Sequence, residues 1–138
     1  MELVAERPAV ILDTAHNVPS VEALVGTLRD FFPVRGSKAV VFAVSSDKQY
    51  PEMLRVLAGY FDRFFLCRYG TNPRCVPPER LAEVLASVAP GKPAGVYPTG
   101  ADAWAAARSA AGPDDLVCVT GSVFLAGELR PTLAGGGA

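Results

Sequence analysis

Short, unbroken apolar runs alternating with apolar stripes at helical spacing constrain this chain more than any other feature of its sequence. Val10, Ile11 and Leu12 form one such run, continuous rather than alternating, as expected of a strand covered on both faces. Val21, Leu24, Val25, Leu28 and Phe32 then recur at helical spacing and predict a first helix over residues 19–32, with Pro19 in its first turn and Glu22 near its positive end. A second strand over residues 39–44 precedes a stripe of Tyr50, Met53, Leu54 and Leu57 that opens at Pro51. Residues 63–68, "RFFLCR", enclose a third strand, and Leu81, Val84, Leu85 and Val88 mark a helix entered through Pro77 and Pro78. A short strand at 95–97 leads to Thr99, a candidate N-cap with Asp102 three residues on, ahead of the small-residue face Ala103, Ala106, Ala107 and Ala110. The run "LVCVT" at 116–120 is a fifth strand, and Gly121-Ser122 opens a last helix to about Leu129.

Strands alternating with helices imply right-handed crossovers and a mainly parallel sheet. The expected fold is α/β, a Rossmann-like three-layer sandwich whose sheet of five to six strands is covered by helices on both faces. One domain over residues 9–130 accounts for the pattern, with 1–8 left as the remnant of an interdomain linker and 131–138 as a flexible tail. A chain of 138 residues is long enough for such a domain to bury roughly two thirds of the surface it exposes when extended.

With a formal net charge of −1 the chain lacks the basic excess that nucleic acid or an anionic membrane would require. No apolar run approaches the ~20 residues that span a bilayer, and no basic segment with a hydrophobic signal stretch opens the sequence, so a cytoplasmic location is expected. The three cysteines, Cys67, Cys75 and Cys118, contain no C-x-x-C and lie far in sequence from the single histidine, so neither a disulfide framework nor a metal site is indicated. Cys67 and Cys118 fall within apolar runs, where a thiol acts as a small buried hydrophobe.

Polar groups follow the strands, and in open α/β sheets ligands bind outside the strands' carboxyl ends. Asp13, directly after the first strand, can accept hydrogen bonds from ribose hydroxyls or anchor its own loop. His16 can orient a ligand and exchange a proton near neutral pH, or serve as a hydrogen-bonded structural residue. Ser122 stands where the fifth strand gives way to a helix, so it and the free backbone N–H groups there can receive a carboxylate or phosphate, or it simply caps the helix. In "SSDKQY", Asp47 can cap the second helix while Lys48 carries a cation to the same edge, or the pair is a solvated turn. In "NPRCVPP", neighbouring prolines restrict the backbone around Arg74, whose guanidinium suits an anionic ligand or is a surface charge. The sequence contains neither G-x-x-x-x-G-K-[ST] nor G-x-G-x-x-G after a strand, and thus no phosphate-gripping loop.

"RPAVILDTAHN", "VFAVSSDKQYPEML", "NPRCVPPERLAEVL" and "VTGSVFLAGELR" occur in an order and spacing that resembles the C-terminal domain of folylpolyglutamate synthase and dihydrofolate synthase, a branch of the Mur ligase superfamily. The most specific pieces are D-x-A-H-N at 13–17, the D-K pair at 47–48, the P-R pair at 73–74 and T-G-S at 120–122. Thr14, Val18 and Gln49 stand where that family usually has glycine, proline and aspartate. The resemblance implies an ATP-dependent amide ligase in which a folate or pteroate carboxylate is phosphorylated and the acyl phosphate is attacked by the amine of glutamate. It further implies that ATP and Mg2+ are held mainly by an N-terminal P-loop domain of the same polypeptide. On this chain Asp13 and Asn17 would then serve the nucleotide, His16 and Ser122 the reaction centre, and Lys48 and Arg74 the substrate. A stand-alone, non-catalytic α/β binding module and a cell-wall Mur ligase domain are the alternatives.

Overall fold

The computed structural model of the protein describes residues 1–70 and 73–134. In chain order its elements are β1 (Glu2–Glu6), β2 (Ala9–Leu12), α1 (Val18–Phe31), β3 (Lys38–Phe42), α2 (Tyr50–Ala58), β4 (Arg63–Leu66), α3 (Pro78–Val88), β5 (Ala94–Val96), α4 (Gly100–Ala110), β6 (Leu116–Thr120) and α5 (Val123–Ala134). The strands form one sheet in the order β1-β2-β6-β3-β4-β5, parallel except for β1. This is the expected α/β sandwich with six strands.

The unbroken apolar runs follow from burial on both sides. Ile11, Val40, Phe42, Phe64, Leu66 and Cys118 pack beneath α1, α2 and α3, while the intervening Val10, Leu12, Val41, Phe65, Val117 and Val119 pack beneath α4 and α5. Period-two alternation therefore survives, but both of its phases are apolar. The connections from β2 to β3, β3 to β4 and β4 to β5 run in one direction across the sheet, with their helices on one face. After β5 the chain returns over the other face through α4 and inserts β6 between β2 and β3. Right-handed crossovers require this change of face when the direction reverses.

Two segments depart from the expected boundaries. Residues 1–8, expected as linker, supply β1, which pairs antiparallel with β2 through Glu2 opposite Leu12 and Leu3 opposite Ile11. Because β1 is an edge strand, nearly all of it stays exposed and only Val4 reaches the core, so no apolar run marks it. The tail expected from residue 131 is helical through Ala134, since Leu133 lies one turn beyond Leu129 and both are buried against the sheet. Pro131 is accommodated within that helix on its exposed side. Residues 135–138 lie outside the described residues. No helix among the described residues is long and apolar enough to cross a membrane.

The amino edge of the sheet is pinned by Asp115, immediately before β6. Its carboxylate accepts from Ser37 N at 2.8 Å and Gly112 N at 2.7 Å, and its carbonyl accepts from Ala9 N at 3.0 Å. One residue thus ties the starts of β2, β3 and β6, and a Cβ at Gly36 would fall on its carboxylate. The two N–H donors hold the Asp115 carboxyl below its ordinary value of 3.8. A depressed folded-state pKa contributes stability that is complete above the unfolded value and is lost as the pH falls through the folded one. Asp115→Asn is therefore expected to lower stability at neutral pH, and the gap from the parent in urea titrations should close on acidification below about pH 4. A gap that stays constant across that range would show that the charge is not what Asp115 contributes.

Candidate functional site

The carboxyl ends of β2, β6, β3 and β4 release their loops at one edge of the sheet. Beside β6 those loops diverge, because α1 and α2 go to one face and α5 to the other. A crevice at such a reversal is where open α/β sheets bind ligands.

The β2 loop is held closely to β6. Asp13 N extends the ladder to Val119 O at 2.9 Å, and Gly121 N donates to Ala15 O at 3.0 Å. Asp13 Oδ2 accepts from Ala15 N at 2.7 Å and from Thr120 Oγ1 at 3.3 Å, while Oδ1 lies 3.2 Å from the Met1 α-amino group. Asn17 is the N-cap of α1: its Oδ1 accepts from Ser20 N at 2.9 Å, and Ser20 Oγ accepts in return from Asn17 N at 3.1 Å. His16 is exposed, and its Nδ1 stands 3.0 Å from Thr14 O. A carbonyl can only accept, so this bond places the neutral ring's proton on Nδ1 and leaves Nε2 with a lone pair.

The β3 loop is braced by the segment before α3. Ser46 N donates to Arg74 O at 2.7 Å, and Ser45 pairs with Cys75 across an antiparallel bridge. Of the two readings of the Asp47-Lys48 pair, the helix cap is not the one realised. The cap position falls to Gln49, which makes no side-chain cap bond, and the Asp47 carboxylate, two residues too early, takes the Ser45 hydroxyl instead. That hydroxyl, and more weakly Lys48 and Arg74, hold the exposed Asp47 carboxyl below its ordinary value. Lys48 Nζ lies 4.0 Å from Asp47 Oδ2.

At the end of β6 each residue of T-G-S does something different. Thr120 gives its hydroxyl to Asp13, Gly121 turns the chain at φ +111°, and buried Ser122 accepts Phe124 N at 3.0 Å, capping α5. A Cβ on Gly121 would strike the Ala43 carbonyl oxygen and the Phe42 ring. Glycine is thus required both by the left-handed conformation and by the close approach of β3.

His16, Ser45, Lys48, Tyr69, Ser122 and Phe124 line a half-open cavity of about 130 Å³ beside Gly121. On the other side of His16 a shallower groove of about 280 Å³ runs from Asp13 along α1 past Ser20, Ala23 and Thr27.

The family model described as Mur ligase, glutamate ligase domain, matches residues 1–123. The chain belongs to that family. It is 28% identical over 144 residues to the folylpolyglutamate synthase of Lacticaseibacillus casei, covering 99% of this chain and 29% of that protein. It is 33% identical over 121 residues to the dihydrofolate synthase/folylpolyglutamate synthase of Escherichia coli K12, covering 88% of this chain and 27% of that protein. The structure of E. coli FolC in complex with DHPP and ADP superposes with a TM-score of 0.87 at 28% identity, over 97% of this chain and 30% of that one. The chain thus spans less than a third of the length of the curated relatives it matches.

Within this glutamate ligase domain the residues singled out from sequence divide into two groups. His16, Lys48 and Ser122 meet in the cavity, whereas Asp13 lines the groove with His16 as the residue common to both. Asn17 and Arg74 line neither; Asn17 is engaged in the α1 cap, and the Arg74 carbonyl braces the β3 loop. Tyr69, Ser45 and Phe124 were not anticipated as part of the site. The only signal available for Tyr69 was its position just past β4, at the same edge as the other loops. The buried thiols are not candidates for chemistry, since desolvation pushes Cys67 up to about 12 and raises Cys118 further.

Two glycine substitutions in this domain should have opposite signs. Gly121→Ala is expected to destabilise by about 1–3 kcal/mol or more through backbone strain and the contact with Ala43. Gly26→Ala, in the interior of α1 with nothing near its Cβ, should stabilise by about 0.5–1 kcal/mol. Thermal unfolding of both variants reads the contrast, and an unchanged midpoint for Gly121→Ala would contradict the assigned turn.

Proposed function

We propose that this chain is the C-terminal domain of an ATP-dependent ligase that adds L-glutamate to folates, to dihydropteroate, or to both, through an acyl phosphate. The observation that carries the reading is the placement of His16 between a groove headed by Asp13 and a cavity lined by Ser122 and Lys48. One depression suits a nucleotide and its neighbour an amino acid, with the chain's single imidazole between them.

In this reading Asp13, held by Ala15 N and Thr120 Oγ1, gives Oδ1 to a ribose hydroxyl in exchange for the Met1 α-amino group that lies 3.2 Å from it. Asn17 Oδ1 is committed to its cap, so Asn17 would assist with its amide Nδ2. His16, with Nδ1 bonded to Thr14 O, would use Nε2 to accept a proton from the glutamate amine as that amine becomes a nucleophile. Ser122 and the first amides of α5 face the glutamate, and Lys48 and Arg74 add positive charge on the Asp47 side.

The residues present do not fit a resident Mg2+ or the ATP phosphates. No group of three or more His, Cys, Asp or Glu side chains among the described residues could hold a metal ion, and no P-loop occurs in the sequence. We therefore assign both to an N-terminal P-loop domain of a longer polypeptide, acting in the cytoplasm. When bound, ATP with Mg2+ supplies the phosphoryl group that activates the folate carboxylate.

Asp13→Ala in that longer enzyme is expected to raise the KM for ATP by roughly 10- to 150-fold, the equivalent of about 1.5–3 kcal/mol for a charge-assisted hydrogen bond. An unchanged KM would remove Asp13 from the nucleotide site. Ser122→Ala should impair glutamate use more than ATP use, and equal effects would reduce Ser122 to a helix cap. The 138-residue chain alone should neither hydrolyse ATP nor ligate glutamate to dihydropteroate or tetrahydrofolate, and activity should appear when the P-loop domain is added in trans. Turnover by the chain alone would overturn the divided site.

A further inference from the structure

Among the described residues, Tyr69 has the one buried side-chain polar atom without a hydrogen-bond partner. Its ring is fixed in place: it lies 5.4 Å, centroid to centroid, from the ring of Phe124 on α5. The next residue, Gly70, donates its N–H to Glu128 of α5 at 2.6 Å, tying this segment to the same helix.

The phenol lies beside the hydroxyls of Ser45 and Ser122, close enough for both to pull its pKa down against burial, yet neither forms a hydrogen bond of acceptable geometry with it. Ser45 donates to Asp47 and Ser122 accepts from Phe124 N, and although each keeps a lone pair, neither is aligned to take the phenol proton. Burial outweighs them and keeps the phenol protonated, as a donor. Ser45, Ser122 and Tyr69 line the cavity that also contains His16 and Lys48, at the N-terminus of the twelve-residue helix α5.

We propose that Tyr69 Oη donates a hydrogen bond to a carboxylate oxygen of the incoming amino acid, making Tyr69 a recognition residue of the glutamate pocket. The assignment rests on the ligase reading above. An ionised carboxylate only accepts, and the residues around the cavity supply the Lys48 cation, the amides at the start of α5 and the buried, unpartnered phenol O–H. A buried hydroxyl with nothing to bond is unfavourable until such a ligand arrives. Binding converts that penalty into a charge-assisted bond, so removal of the oxygen should separate affinity from stability.

Tyr69→Phe in the longer enzyme tests this. The KM for glutamate should rise by roughly 10- to 150-fold, the range for a hydrogen bond to a charged group, with the KM for ATP unchanged. The urea midpoint of the same variant in the 138-residue chain should be unchanged or higher, because no internal bond is lost. An active parent with an unchanged glutamate KM in Tyr69→Phe would overturn the Tyr69 assignment and leave the ligase reading standing. A lowered urea midpoint with both KM values disturbed would also overturn it, by making Tyr69 a structural residue. A parent enzyme that does not ligate glutamate would overturn the ligase reading, and this assignment with it.

Discussion

The insertion of β6 between β2 and β3 sets where every candidate side chain comes to rest. Asp13 and Thr120 are separated by 107 residues in sequence, yet the parallel register that aligns Leu12 with Val119 brings them to the same height and lets one hydroxyl bind one carboxylate. The register is secured at the opposite edge by Asp115, which binds the starts of β2, β3 and β6 before the strands run together. Once β6 is in place, α5 must leave toward the face opposite α1 and α2, and the loops part around it. The cavity is the space left by that parting, so its position follows from topology and its chemistry from the few residues set on the loops.

The strands that could be read from sequence are those enclosed on both sides. β2, β3, β4 and β6 appear as unbroken apolar runs because α1 to α3 cover one phase of the alternation and α4 with α5 the other. β1 has a helix-covered neighbour but little burial of its own, and the five residues "ELVAE" carry no pattern that distinguishes a strand from a tether. Helix positions followed the same logic, with Thr99 accepting Asp102 N as its type and spacing suggest.

Site residues were legible in proportion to how local their roles are. The polar cluster after β2 could be located because a strand's end is a local feature, and Ser122 because a glycine-serine pair before a helix is one as well. Asp47 could not be decided, since a helix cap and a solvated turn look alike in sequence and only the fold sets the Ser45 hydroxyl on the carboxylate, two residues short of the cap. Tyr69 could not be found, because the absence of a partner for its hydroxyl depends on Ser45 and Ser122, brought to it from β3 and β6 by the sheet. A buried group's lack of a partner is a property of the assembled fold, not of any stretch of sequence.

β1 also bears on how this sheet meets other sheets. A central strand such as β2, left bare, would offer an open row of amides and carbonyls to any second chain. β1 takes that row for itself and presents instead an irregular ladder, shifted between Leu3 and Ala5, with exposed Glu2 and Glu6 along it. The opposite border is β5, only three residues long, with Pro93 just before it and Pro98 two residues beyond. Both margins of a strongly apolar sheet are therefore poor templates for further strands, so the strand-forming sequence that fills its centre is closed to pairing from either side.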